Sequence, residues 1–400
     1  MDSVSIKIIT NRISMGRVTS NLNLIAPFLY TGPGASTDTT SSLYNKFGLQ
    51  GIKGSVQSDN YYIVGTSGDD GTVYYGPINH AMTASGSGSG VWTVMNAIFN
   101  DVSRNNIDAT SIYGVNPRLD GNVNLVGSWQ DSSETTANSK QNYRKGFYYQ
   151  GPVTAEPDAS DFQVVWPTNP DGVKATFTFL HSVSGDLAVG GYDLFDASTD
   201  SETAIQAFLY DPATGRCSDI PYPGNYKTTT AYGIWHNTSS SYTIAGGAAL
   251  DTGLDADGIG VATLIDYDSI TGQYGNFRTY SYDDIDALNE LLIDKGVISS
   301  EIERDDSIET HFEGIYFNGK DEYTLPATIS AEDGSIGIGA IAKVKRLKEG
   351  GFSDAEWTLF DIPGSVLSTN NSVFEDANVG FAIYPSADGV VTSCYAGLLI

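Results

Sequence analysis

The chain is poor in cysteine, histidine, methionine and positive charge. Its two cysteines, Cys217 and Cys394, lie far apart, so both are expected as free thiols and no disulfide framework is expected. Lysine and arginine total 21 against 48 aspartates and glutamates, a formal net charge of −27. So acidic a surface repels phosphate backbones and anionic lipids, which argues against nucleic-acid partners. No run of about 18 apolar residues occurs, so no membrane insertion is expected. The start, MDSVSIKIITNRISMG, lacks a basic segment followed by an apolar one. That leaves two locations open, the cytoplasm or an exported protein whose signal is absent here. There is no GxSxG, HExxH, CxxC or glycine-rich loop ending in Lys-Ser/Thr. Serine hydrolase, zincin and nucleotide-triphosphate chemistry therefore lack their usual signatures.

Glycine (44) and tyrosine (24) are abundant and charged residues make up only 17%, a composition of strands and turns. The stretch AYGIWHNTSSSYTIAGG (231 to 247) reads as two short strands around a polar turn, and copies of it recur. They are LQGIKGSVQSDNYYIVG from Leu49, SIYGVNPRLDGNVNLVG from Ser111, TFTFLHSVSGDLAVGG from Thr176 and FEGIYFNGKDEYTLPA from Phe312, with a degenerate sixth, NSVFEDANVGFAIY, from Asn371. The glycine closing the second strand falls at Gly65, Gly127, Gly190 and Gly246, with Ala327 at the equivalent place in the fifth copy. Such a period marks one supersecondary unit repeated, neighbours covering each other's apolar faces.

A third strand, and usually a fourth, follows each copy, for example GTVYYGP and VWTVM, or KGFYYQGP and FQVVW, with a weak CSDI in the third unit. Four short strands per unit, repeated radially, predict an all-β fold: a six-bladed β-propeller forming one domain over 1–400. The last unit is one strand short, so residues 1–35 are expected to close the ring, through either SIKII or LIAPFLYTG. Residues 283–309 interrupt the pattern between the fourth and fifth blades. DDIDALNELLIDKG has the apolar spacing, acidic start and Lys-Gly end of an amphipathic helix, and VISSEIERDD after it suggests a second. A surface insertion and a lid over the channel are both open. Pro326 falls where a central second strand is expected and predicts a bulge.

First strands line a propeller's channel, so equivalent positions in them are where ligands are expected. Alignment on Gly233 sets His236 level with His181, Gly54, Pro117, Phe317 and Glu375, and the next column holds Asn237, Arg118 and Asp376. Two of four histidines fall in one column. His181, His236 and Glu375 are therefore the candidate catalytic residues, as acid/base groups or as ligands of a divalent metal ion such as calcium or zinc. Arg118, Asn237, Tyr113, Trp235, Tyr316 and Asp376 are candidate ligand-binding residues; packing between blades is the competing role for the three aromatics. His311 and Glu313 are weaker candidates. DTGLDADG (251 to 258) and the DDG at 69 to 71 have calcium-loop flavour without the full spacing, and read as hairpin turns. The sequons at Asn237 and Asn370 are short enough to arise by chance.

The stretch AFLYDPATGRCSDIPYPGNYKTTTAYGIWHNTSSSYTIAG (207 to 246) resembles the repeat of bacterial extracellular HAF-type proteins, in which a G-F-L-Y strand, a proline-glycine turn and a G-I-N…I-V-G hairpin follow each other. Trp235 replaces the usual asparagine. The resemblance implies a propeller and an extracellular or periplasmic location, and carries no catalytic signature. The expected function is binding of a small molecule or glycan at the central channel, with lyase, cyclase or hydrolase chemistry open. The alternative is a non-catalytic lectin-like or protein-interaction propeller, which aromatic turns such as YYGP and FYYQGP would suit. Oligomeric state is not legible.

Overall fold

The structure is a computed structural model and describes residues 23–24 and 47–398, apart from 79–89, 101, 104–105, 136–141, 169–171, 197–200, 203, 251–259, 299–307, 332–335, 361, 363 and 387–388. Each sequence unit folds as an antiparallel meander. The first comprises Phe47–Gly54, Tyr61–Ser67, Asp70–Gly76 and Val91–Val94. The fourth comprises Tyr226–His236, Ser241–Leu250, Gly260–Asp268 and Gln273–Tyr280. The fifth is built the same way around Glu322–Ala331, and the sixth around Ala377–Ser386.

These four units stand as separate sheets, whereas six separate sheets were expected. The second unit (107 to 165) and the third (177 to 219) belong to one eight-stranded sheet. A single parallel bridge, Phe177 to Arg144, joins their halves. The arrangement is all-β and propeller-like, with apolar clusters lying between consecutive units rather than within one sheet. Val64 and Val73 of the first unit meet Ile112 and Trp129 of the second. Val189 and Leu209 of the third meet Ile234 and Ile265 of the fourth. Ile52 and Ile63 of the first meet Val379 and Cys394 of the sixth, so the packing returns to its start. The middle strands thus bury both faces, which is why Leu187–Asp193 and Glu322–Ala331 are buried almost without a break rather than in strict alternation.

The closing glycines have a steric cause. A Cβ on Gly65, Gly127, Gly190 or Gly246 would collide with a first-strand carbonyl oxygen, those of Gly48, Ser111, Phe179 and Thr230 respectively. In the fifth unit the first strand is interrupted, Ile308–Phe312 and then Tyr316–Phe317, and there Ala327 is accommodated. Pro326 causes no slip of register with the third strand, contrary to the expected bulge. The interruption falls opposite it instead, because Pro326 has no N–H to give the inner strand, while its carbonyl accepts the Glu313 N–H at 2.8 Å.

Asn23–Leu24 pairs antiparallel with Gly389–Leu398, Asn23 opposite Leu398. SIKII lies outside the described residues, as do DTGLDADG and most of VISSEIERDD. The insertion contains one α-helix among the described residues, Ile285–Asp294, capped by the Asp284 carboxylate accepting the Ala287 N–H at 3.1 Å. It buries Leu288 and Leu292 against Phe312 and Tyr282. Lys295 then donates to the carbonyls of Ile362 (2.9 Å) and Ser365 (3.1 Å), tying the helix end to the approach to the sixth unit. No helix among the described residues is long and apolar enough to cross a membrane. Cys217 and Cys394 are free, and burial pushes both thiols up to about 12. Asn370 is wholly buried and bonded to the Ala340 carbonyl, so its sequon is closed to glycosylation in the folded chain.

Candidate functional site

In the first four units the inner strand slips register by one residue at the same place: between Leu49 and Gly51, Ile112 and Gly114, Leu180 and Ser182, and Ala231 and Gly233. A bulge leaves its extra residue unpaired and re-aims the side chain. The unpaired residues are Gln50, Tyr113, His181 and Tyr232. Glu313 in the interrupted fifth strand and Asn371, just before Ser372–Phe374, occupy the equivalent place. All of these line one central cavity that opens to solvent.

The next position is held by Gly51, Gly114, Ser182, Gly233, Gly314 and Ser372, where neighbouring inner strands nearly touch. A Cβ on Gly114 would stand 2.7 Å from the His181 carbonyl oxygen. Where serine replaces glycine its hydroxyl is used: Ser182 accepts the Ile234 N–H and Ser372 the Ile52 N–H, each at 3.3 Å. The position after that is aliphatic throughout: Ile52, Val115, Val183, Ile234, Ile315 and Val373. Asn371 also donates to the Leu49 carbonyl at 2.8 Å, joining the last inner strand to the first.

The cavity is rich in acceptors. His181 Nδ1 lies 2.8 Å from the Tyr232 carbonyl, an atom that only accepts, so Nδ1 carries the proton. Burial holds the imidazole below its usual range, partly offset by Glu313, so the ring is neutral near pH 7 and Nε2 is an acceptor. Tyr113 stacks on it, ring centroids 5.5 Å apart and 8° from parallel, and Tyr232 meets it edge-on at 4.6 Å. Glu313 Oε1 accepts from Thr328 Oγ1 at 2.8 Å and pairs with His311 Nε2 at 2.8 Å. Burial acts to raise the Glu313 carboxyl, but the His311 charge and hydrogen bond, His181 and Thr328 together hold it below the usual value. Burial likewise acts to lower His311, and Glu313 and Glu309 outweigh it, raising the imidazole. Burial and the Glu313 charge push the Tyr232 phenol up, so it stays protonated.

His181 and His236 do not share a column. Leu180 pairs with Gly190 as Ala231 pairs with Gly246, which sets His181 level with Tyr232 and Gly185 level with His236. The third hairpin ends in the short turn Gly185–Asp186, while the fourth continues through His236, paired with Tyr242. Alignment by spacing assumed equal hairpins and slipped. His236 stacks on Tyr242 at 4.6 Å, its backbone N–H donating to Ser184 Oγ at 3.0 Å, outside the cavity lining. Glu375 and Asp376 form an exposed turn, Glu375 with φ 55°. Arg118 sits in a hairpin turn against Asp120 at 3.5 Å.

Asn237 belongs to a network between the fourth and fifth units. Its Oδ1 accepts from Tyr323 Oη at 2.9 Å, and Arg346 grips Asp266 with two nitrogens, at 2.6 and 3.0 Å. Trp235 and Tyr316 do come together, edge-to-face at 5.2 Å, beyond the cavity lining. Tyr113 lies within it. Tyr74 and Tyr149, from YYGP and FYYQGP, are buried, their hydroxyls donating to the Pro77 and Pro152 carbonyls at 2.8 and 2.7 Å. Those two repeated tyrosines therefore close turns. No three His, Cys, Asp or Glu side chains among the described residues gather as a metal site. The helix contributes nothing to the cavity lining. The ring Gln50–Tyr113–His181–Tyr232–Glu313–Asn371 was hidden from spacing; its signal is the residue immediately before each G/S-I/V pair.

No known protein family and no curated protein matches the sequence. The resemblance to HAF-type repeats is carried no further by either comparison. Among solved structures, the chain is similar to the NanB sialidase of Streptococcus pneumoniae over 94% of its length and 71% of that chain, with 8% identity and a TM-score of 0.47. It is similar to the GH43_1 enzyme of Xanthomonas citri complexed with xylose over 84% and 94%, with 11% identity and a TM-score of 0.33. It is also similar to TolB of Acinetobacter baumannii over 78% and 57%, with 10% identity and a TM-score of 0.32. Likeness this distant identifies neither a relative nor an activity.

Proposed function

We propose that the protein is a six-bladed propeller that binds a small hydroxyl-rich ligand, of the sugar or polyol class, in its central cavity. The eight-stranded sheet is read as two blades, since one bridge joins its halves and each half has its own inner strand at the cavity. Residues 1–400 form one domain in this reading, Asn23–Leu24 supplies the closing strand, and the protein is exported.

The observation that carries the ligand reading is internal to the chain. Across the units, the positions touching the next strand keep glycine or serine and then isoleucine or valine, as packing requires. The one position re-aimed into the cavity differs in every unit but two: Gln50, Tyr113, His181, Tyr232, Glu313 and Asn371. A purely structural column would be uniform. The neutral His181 Nε2 and the Glu313 carboxylate are acceptors, so they suit ligand hydroxyls, and Tyr113 and Tyr232 offer apolar faces. Binding rather than hydrolysis is favoured because most glycoside hydrolysis uses paired carboxylates, and Glu313 is the single carboxylate among the described lining residues.

Thermal-shift titration with monosaccharides, uronic acids, disaccharides and polyols tests this. A ligand at about 100 times its Kd should stabilise the parent by about 2.7 kcal/mol. His181→Phe and Glu313→Gln should lose the shift while keeping the parent's circular dichroism. A shift that persists in both variants, or no shift from any compound, refutes the reading.

A further inference from the structure

Lys53 is the one cation lining the cavity among the described residues. It stands just past the aliphatic column, in the layer shared with Trp235, Tyr316 and Phe374. Its Nζ lies 4.1 Å from the centre of the Trp235 ring and 6.0 Å from that of Phe374. Tyr316 joins those rings, 5.2 Å from each, and Tyr61 flanks Phe374 at 6.4 Å. The Lys53 side chain thus lines the cavity, and its amine is flanked by aromatic rings. The acidic groups nearest this layer, Glu375 and Asp376, are exposed and act on Tyr61 and Tyr316. No described carboxylate forms an ion pair with Lys53.

We propose that Lys53 is a reactive amine that condenses with a small aldehyde or ketone entering the channel. The nitrogen adds to the carbonyl carbon, and the two amine hydrogens leave with the carbonyl oxygen as water. An imine remains, with no oxidant or reductant consumed. Burial strips hydration from the ammonium and brings Lys53 down to about 7. Near neutral pH much of it is then free amine, which is the nucleophilic form. A sugar in its open-chain form carries both the hydroxyls that suit His181 and Glu313 and the carbonyl that suits Lys53. The inference rests on the cavity being a ligand site, but not on which hydroxyls are bound.

The test is reductive trapping on the intact protein. Glyceraldehyde with sodium cyanoborohydride at pH 7.5, followed by peptide mass mapping, reports the rate at each lysine. An ordinary lysine is about 0.1% free amine at that pH and Lys53 about three-quarters; lower basicity takes back part of the advantage, so Lys53 should label about tenfold faster than exposed lysines. Its rate should also level off near pH 7 while theirs keep rising. Glu313→Gln should keep the Lys53 label, whereas it should lose sugar-induced thermal stabilisation, which separates the two readings. Lys53 labelling no faster than exposed lysines, or a rate still climbing at pH 9, overturns the proposal. Because the measurement is made on the parent chain, it does not depend on a variant folding.

Discussion

Replacing Gly127 by alanine tests the steric origin of the repeat directly. The added Cβ would stand 1.9 Å from the Ser111 carbonyl oxygen and 2.7 Å from a ring carbon of Phe147. Ordinary carbon–oxygen contact begins more than an ångström further out, and neither partner is free to retreat. Ser111 lies in an inner strand paired through Val123–Thr135, and Phe147 is 1% exposed in the inter-unit core. Overpacking typically costs about 1–3 kcal/mol, and a backbone collision belongs at the upper end, so about 3 kcal/mol is expected. With an unfolding entropy near 2 cal/mol/K per residue, that lowers the melting temperature by roughly 4 °C. The control is Gly275→Ala, in the exposed outer strand Gln273–Tyr280, where a Cβ meets nothing within 4 Å. There, reduced freedom of the unfolded chain should leave stability unchanged or raised by about 0.5 kcal/mol. Melting curves and urea midpoints of the two variants decide it. A Gly127→Ala protein melting within a degree of the parent would refute the account of why glycine recurs.

Arg346→Met should cost about 2–3 kcal/mol, because it leaves the largely buried Asp266 carboxylate without its cation and removes bonds to Thr243 (3.0 Å) and Tyr323 (3.1 Å). In a double-mutant cycle with Asp266→Asn the losses should be less than additive; independent losses in urea unfolding would show that the network does not act as a unit. The His311–Glu313 pair predicts a pH signature. His311 is raised, so its contribution is complete below about pH 6.5 and fades as pH climbs through the folded value. Glu313 is lowered, so its contribution holds above about pH 4.3 and fades as pH falls through its folded value. The melting temperature of the parent minus that of His311→Asn should therefore be largest between about pH 5 and 6.5 and shrink toward pH 8.5. A difference constant across that range would mean the pair carries no charge. His181, lowered chiefly by burial, disfavours folding below about pH 6.5 in both proteins.

The architecture was legible because the collision that forbids a Cβ at Gly65, Gly127, Gly190 and Gly246 leaves a mark in the letters themselves. Ala327 broke the pattern where Pro326 had already opened the inner strand. The site was less legible for a related reason. A bulge residue is defined by what it fails to pair with, and no residue type announces that; Gln50, Tyr113, His181, Tyr232, Glu313 and Asn371 share a position and almost no chemistry. Spacing placed His181 beside His236 because it could not see that the third hairpin is shorter. It placed Glu375 in the channel because an acidic turn and an acidic strand end look alike without a register. Lys53 gave no signal at all, since its character comes from Trp235 and Phe374, both distant in sequence.

The pairing of Asn23 with Leu398 brings the two ends of the described fold to neighbouring strands of one sheet. A circular permutant is therefore sterically simple: a short linker there, and new termini in the exposed turn at residues 223–225, would leave every sheet whole. The outer strand of the sixth unit would then follow its neighbour directly in the chain, turning the most remote pairing in the molecule into a local one. The entropy of closing the circle would move to the seam between the third and fourth units, held by Val189, Leu209, Ile234 and Ile265 rather than by a shared strand. Such a chain would measure how much of the protein's integrity depends on lacing its ends together and how much on side chains meshing between neighbours.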